Sequence, residues 1–173
     1  MNKNIAVASV IAIILAGGIF FLSSRKSQLK TTNSPQTQSE NSPEGKMVAG
    51  YSGKVLAGTT SPYFVFTKAD YDKALSSGKV VFLDFYANWC PICREETPDL
   101  KAGFDNLNSD KVVGFRVNYN DSDTDEDEKA LAKQFAITYQ HTKVILKDGK
   151  QVLKSQDSWD KEMFDKEIGA LTN

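Results

Sequence analysis

From about residue 54 to the end of the chain, short apolar runs alternate with charge-rich stretches of helical character. Lys54–Ala57 and Tyr63–Phe66 are expected as two short strands around a turn at Gly58-Thr59-Thr60-Ser61. The second, rich in aromatics, is expected at an edge of the main sheet. Thr67 and Asp70 have capping-box spacing for a helix over Lys68–Ser77 that Gly78 ends. Val80–Tyr86, VVFLDFY, is β-branched, aromatic and broken only by Asp84, so it predicts a buried central strand. A helix follows from about Pro91 to Asn108, and Pro98 inside it introduces a bend. Lys111–Asn118 is the next strand. Glu128–Phe135 is a helix, and 136–142 is a loop into a strand over Lys143–Leu146. Asp148-Gly149 turns the chain into Gln151–Leu153. Ser158 is placed to cap a last helix over Trp159–Leu171. This order predicts an α/β domain, a mixed sheet with helices on both faces and a β extension at its N-terminal side.

The first 46 residues have a different pattern. Ile5–Leu22 is an uncharged, mostly apolar run, close to the lower limit of the about 17–25 residues that span a bilayer as helix. A signal cut after Ala16-Gly17-Gly18 is the alternative. It would leave Ile19–Leu22 on the mature chain, so residues 1–26 are read as a transmembrane signal anchor. The arginine and lysines on its far side, Arg25, Lys26 and Lys30, argue by charge alone for a cytoplasmic head. Residues 27–46 argue the other way. They are rich in Ser, Thr, Asn, Gln and Pro and too poor in apolar residues to fold, as an extracytoplasmic tether would be. The folded head is expected over 47–173, outside the cytoplasm on a single-pass anchor.

Composition narrows the chemistry. The net charge is −1 and charged residues make up 25%, so nothing points to nucleic acid. Two cysteines exclude a multi-disulfide scaffold, and with one His they cannot complete a four-ligand zinc site unaided. Asp121–Glu128 holds six acidic residues, and its opening Asp121-x-Asp123-x-Asp125 imitates a calcium loop. Glu126 at the sixth position and Ala132 at the twelfth break that pattern, so a solvated acidic helix start is expected.

The chemistry converges on Cys90-Pro91-Ile92-Cys93. Both cysteines fall where a buried strand hands over to a helix N-terminus, whose free N–H groups and dipole stabilise a thiolate. Thiolate is the nucleophile of disulfide exchange. Cys90, expected to have the more exposed sulfur, is the candidate nucleophile. Cys93, one turn inward, is the candidate resolving thiol. A permanent disulfide closing so short a loop adds little stability, which favours a redox role.

The run Asp84-Phe85-Tyr86-Ala87-x-Trp89-Cys90-x-x-Cys93 resembles the thioredoxin family over roughly 80–168. In detail it is similar to membrane-tethered, extracytoplasmic members, such as the periplasmic C-terminal domain of the Dsb-system membrane thiol-reductant transporter. The resemblance implies a thioredoxin fold and thiol–disulfide exchange with protein substrates, as a monomer without cofactor. A reducing role would draw electrons from a membrane donor. It also implies a buried acid at Asp84 beneath the resolving cysteine, able to relay a proton, and Arg116 where thioredoxins put a lysine near that acid. Trp89 offers a flat apolar surface beside the sulfur, and Pro91-Ile92 influences the potential.

One position departs from the family. Thioredoxins carry a cis-proline before a Thr where this chain has His141-Thr142. A cis bond without proline costs about 2.5–4 kcal/mol, so a trans bond is expected. The loop should face the cysteines and bind substrate backbone, which brings an imidazole near two thiols. It can tune them or act as a third ligand. Two functions are therefore carried forward: a thiol–disulfide oxidoreductase, and a copper chaperone using Cys90, Cys93 and His141. A glutaredoxin-like reading of Cys-Pro-x-Cys is disfavoured by Trp89 and the lack of an evident glutathione site.

Overall fold

The computed structural model describes residues 48 and 50–172. The expected anchor and the linker, residues 1–46, lie outside them. Among the described residues no helix is long and apolar enough to cross a membrane.

In chain order the elements are β1 (Val55–Ala57), β2 (Tyr63–Val65), α1 (Lys68–Ser76), β3 (Val80–Tyr86), α2 (Pro91–Asn106), β4 (Val112–Asn118), α3 (Glu126–Gln134), β5 (Thr142–Lys147), β6 (Lys150–Ser155) and α4 (Lys161–Thr172). The six strands form one sheet in the order β1-β2-β4-β3-β5-β6. β3 is central, parallel to β4 and antiparallel to β5. Its apolar run fits this position, because a strand covered on both faces has no solvent side to make polar. Val81, Leu83 and Phe85 pack with Tyr71 of α1 and Leu131 of α3. Phe82 turns to the other face, against Leu100 and Phe104 of α2 and Phe164 of α4. By alternation Asp84 shares the Phe82 face.

Three local expectations are corrected. β2 is not at the edge: it pairs with β4 on one side, and three-residue β1 covers the other. Thr67 does cap α1, accepting from the Asp70 amide at 3.2 Å. The Asp70 carboxylate, however, reaches across the chain to the amides of Ser52 (3.1 Å) and Gly53 (2.6 Å), so it ties down the approach to β1. The last helix starts two residues later than predicted. Asp160 accepts from the Met163 amide at 2.8 Å, and Trp159 is withdrawn into the core instead of opening the helix.

Gly114 in β4 makes room for an aromatic stack. Tyr63 and Phe104 lie parallel with centroids 4.8 Å apart, and a Cβ on Gly114 would stand 2.3 Å from the Phe104 ring. Gly114→Ala should therefore lower stability by about 1–3 kcal/mol, the usual cost of overpacking a filled core. The midpoint of urea unfolding checks this.

Candidate active site

β3 ends at Tyr86, and Ala87-Asn88-Trp89 carries the chain into α2. This short link is anchored from the β4–α3 loop. The Asp121 carboxylate accepts from the Asn88 amide (2.8 Å), the Asn88 side chain donates to the Ser122 hydroxyl (3.0 Å), and the Trp89 indole donates to the Asn120 carbonyl (3.0 Å). The acidic segment is likewise engaged in local structure. Asp121 folds its own turn, and Asp125 with Glu128 forms a capping box on α3.

Cys90 is the N-cap of α2, with Pro91 at the first helical position, where a missing N–H costs nothing. Its Sγ accepts from the Cys93 amide at 3.2 Å. Both residues are free thiols, and their sulfurs lie within 4.8 Å of each other. The expectation that Cys90 would be the more exposed is not met: Cys90 is 1% and Cys93 3% exposed. His141 supplies a physical reason. It is itself buried, and an imidazole nitrogen lies within 4.8 Å of each sulfur. The Cys93 thiol is pushed up to about 12, first by burial, then by its hydrogen bond with Cys90; the charge of Asp84 adds to the rise. It therefore needs a base to become a nucleophile.

Asp84 is buried and its carboxyl is raised to about 6, burial being the largest cause. It does not stand alone, as its apolar strand suggested. The Tyr63 hydroxyl donates to it at 2.8 Å, and Arg116 on β4 and Lys143 on β5 flank it in register. Lys143 outweighs Arg116 in lowering the carboxyl. The Arg116 guanidinium instead lies 4.7 Å over the Tyr86 ring.

Lys143 and Glu96 were not singled out from the sequence. The Lys143 ammonium is fully buried, donates to the Glu96 carboxylate, and also reaches the carbonyls of His141 (3.0 Å) and Asp157 (3.1 Å). Glu96 accepts from the Trp159 amide at 2.6 Å as well. One network thus joins α2, the His141 loop and the segment before α4. A signal for Glu96 exists: Cys93, Glu96 and Leu100 share one helix face at i, i+3, i+7, the face that turns inward.

His141 has φ +50, and every described peptide bond is trans, as the absence of proline predicts. Burial and the charge of Lys143 push its imidazole below the ordinary histidine range, partly offset by Glu96 and the Gln156 backbone. Thr142 is buried, its hydroxyl donating to the Tyr139 carbonyl at 2.6 Å. It shapes the loop rather than lining a surface. Around the pair Trp89 (49%), Ile92 (40%) and Tyr139 (52%) are three of the four exposed large apolar side chains among the described residues. They form a candidate docking rim, and Trp89→Ala should raise KM for a protein disulfide several-fold while leaving the rate with a small disulfide such as cystine nearly unchanged, since a large aromatic contributes its effect through buried contact area. Steady-state assays with both substrates check this.

The thioredoxin family profile matches residues 62–170. A sheet with β3 at its centre, flanked by two pairs of helices, and a Cys-x-x-Cys at the start of α2 define a thioredoxin fold with a dithiol site. The chain belongs to the thioredoxin family, whose members are thiol–disulfide oxidoreductases. It is 33% identical over 85 residues to the H-type thioredoxin of Fagopyrum esculentum, covering 47% of this chain and 64% of that one. It is 53% identical over 30 residues to the chloroplastic thioredoxin-like protein HCF164 of Arabidopsis thaliana, covering 17% of this chain and 12% of that one. The chain thus spans less than two thirds of the length of these relatives. Among solved structures, a point-mutant thioredoxin of Halobacterium salinarum superposes with TM-score 0.53 at 26% identity, covering 68% of this chain and 96% of its own. The thioredoxin of Aeropyrum pernix shares the fold, with TM-score 0.52 at 16% identity over 69% of this chain and 94% of its own.

Proposed function

We propose that the protein is a membrane-tethered thiol–disulfide oxidoreductase that reduces disulfides of protein clients outside the cytoplasm. The observation that carries the reading is the Cys90–Cys93 dithiol at the N-terminus of α2, with Cys90 Sγ accepting from the Cys93 amide. The apolar run Ile5–Leu22 and the polar stretch after it support the tether and the location.

The Cys90 thiolate attacks one sulfur of the client disulfide; the other client sulfur leaves as thiolate and takes a proton from solvent. Cys93 then loses its proton to the Asp84 carboxylate and attacks Cys90 Sγ; the second client sulfur leaves as thiolate and takes a proton from solvent, to which Asp84 gives up the one it received. The client gains two electrons and two protons, and the protein is left with a Cys90–Cys93 disulfide. A membrane thiol donor restores the dithiol by the reverse exchange. The apolar rim of Trp89, Ile92 and Tyr139 suits an extended peptide around a disulfide.

Equilibrating the full-length chain with glutathione buffers tests this. A reduction potential close to about −270 mV is expected for a reductant; one close to about −120 mV would overturn the reducing role and mark an oxidant.

A further inference from the structure

Among the described residues, one set of soft donors converges. Cys90 Sγ, Cys93 Sγ and an imidazole nitrogen of His141 all lie within 4.8 Å of one another, and all three residues are buried. His141 is only 7% exposed, yet its Nδ1 has no hydrogen-bond partner among the described residues. A buried polar atom left unpaired costs about 1–3 kcal/mol. Disulfide exchange gives that nitrogen no partner.

The backbone holds the imidazole in place. A non-glycine residue at φ +50 is in the left-handed region and persists only where its surroundings impose it. Here they do. The Thr142 hydroxyl closes the turn on the Tyr139 carbonyl, and Lys143 Nζ grips the His141 carbonyl at 3.0 Å. The Tyr139 ring stands edge-on to the imidazole with centroids 5.2 Å apart. The turn is thus fixed from three sides, and a proline here would offer no donor to the thiols.

We propose that Cys90, Cys93 and His141 form a three-coordinate site for monovalent copper, and that the dithiol state is the copper-binding state. Metal–sulfur and metal–nitrogen bonds of about 2.3 and 2.0 Å place trigonal donors roughly 3.5–4 Å apart, so the donors need to close by less than about 1–1.5 Å. Two thiolates and an imidazole are soft enough to select Cu(I) or zinc. Zinc takes four ligands in closed sites, and this cluster supplies three. Glu96 is not among the donors that converge, and its Oε1 is held by Lys143 and the Trp159 amide. Three donors complete a trigonal Cu(I) centre.

Binding moves no electrons. Cu(I) enters as Cu(I), each cysteine thiol gives up its proton to solvent, and two Cu–S bonds and one Cu–N bond form. Metal and disulfide then compete for the same sulfurs. Bound copper blocks exchange with clients, and a client disulfide that takes the two sulfur electrons expels the ion, still as Cu(I). The site stands independently of the proposed client chemistry.

The test is an anaerobic titration of the reduced full-length chain with Cu(I) against a chromophoric bathocuproine chelator, with X-ray absorption on the loaded protein. One copper per chain is expected, with two sulfur ligands and one nitrogen ligand. His141→Ala should weaken it at least tenfold, and His141→Pro should do the same. Absence of stoichiometric copper, or equal affinity in His141→Ala, overturns the proposal. A spectrum of the wild-type complex that lacks the nitrogen ligand overturns it without recourse to any variant. Zinc that binds more tightly than Cu(I) in a parallel titration overturns the choice of metal.

Discussion

Glu96→Gln should destabilise the protein by about 3–5 kcal/mol, the penalty for leaving one member of a buried ion pair without its partner. Glu96 and Lys143 are both withdrawn from water. With Gln at 96 one amide oxygen can still accept from the Trp159 amide and from Lys143, as Glu96 Oε1 does, but the negative charge is gone and the Lys143 ammonium is left on neutral acceptors, this oxygen and the carbonyls of His141 and Asp157. Neutral acceptors do not repay the desolvation of a full charge. A fall in the urea midpoint with an unchanged slope is the expected signature, because the surface exposed on unfolding stays the same. The double variant Glu96→Gln/Lys143→Met should recover most of the loss, since it removes the stranded charge along with its partner. If the single and double variants are equally unstable, the pair is not what holds this network together. Lys143→Met has a second readout: because Lys143 lowers the Asp84 carboxyl, its removal should raise it above about 6.

This pair also marks the boundary of what local pattern conveys. β3 and the Cys90–Cys93 turn are legible in the sequence, because an apolar run of strand length and a Cys-x-x-Cys before helix formers are contiguous signals. The pairing of Glu96 with Lys143 spans 47 residues and depends on the register of β5 against β3, which no local pattern contains. Lys143 looked like the polar start of a strand, yet it sits opposite Asp84 in the sheet centre. His141 stood out as a departure from family pattern. Its approach to both sulfurs and its left-handed backbone are products of the tertiary fold. The misplaced cap at Ser158 has the same origin: Glu96 draws the Trp159 amide inward, so the helix begins beyond it.

Asp84→Asn should make the protein more stable and slower at once, and the two effects should separate with pH. The folded carboxyl lies near 6 against 3.8 for the unfolded group, so the native state binds more protons between those values. Stability therefore falls as pH rises through that window, by roughly 3 kcal/mol at about 1.4 kcal/mol per pH unit, and the loss is complete above it. The neutral Asn loses nothing there, and it still accepts from the Tyr63 hydroxyl. Lys143 keeps Glu96, and the Arg116 guanidinium keeps its place over the Tyr86 ring. The variant should be about 2–3 kcal/mol more stable at pH 7.5 and indistinguishable below about pH 4. The rate moves the other way. Removing the Asp84 charge eases Cys93 ionisation slightly, but that charge is a lesser cause of the raised thiol than burial and Cys90. Losing a general base costs about 10²–10⁴-fold where it acts directly, so base loss dominates. Resolution of a mixed disulfide at Cys90 should slow at least tenfold at pH 7–8, and the wild-type inflection near 6 should vanish. Stopped-flow measurement across pH 6–9 decides it: an Asn variant that resolves as fast as wild type removes Asp84 from the proton path, while a gain in stability confined to pH above about 4 would still identify it as the charge the fold carries at a cost.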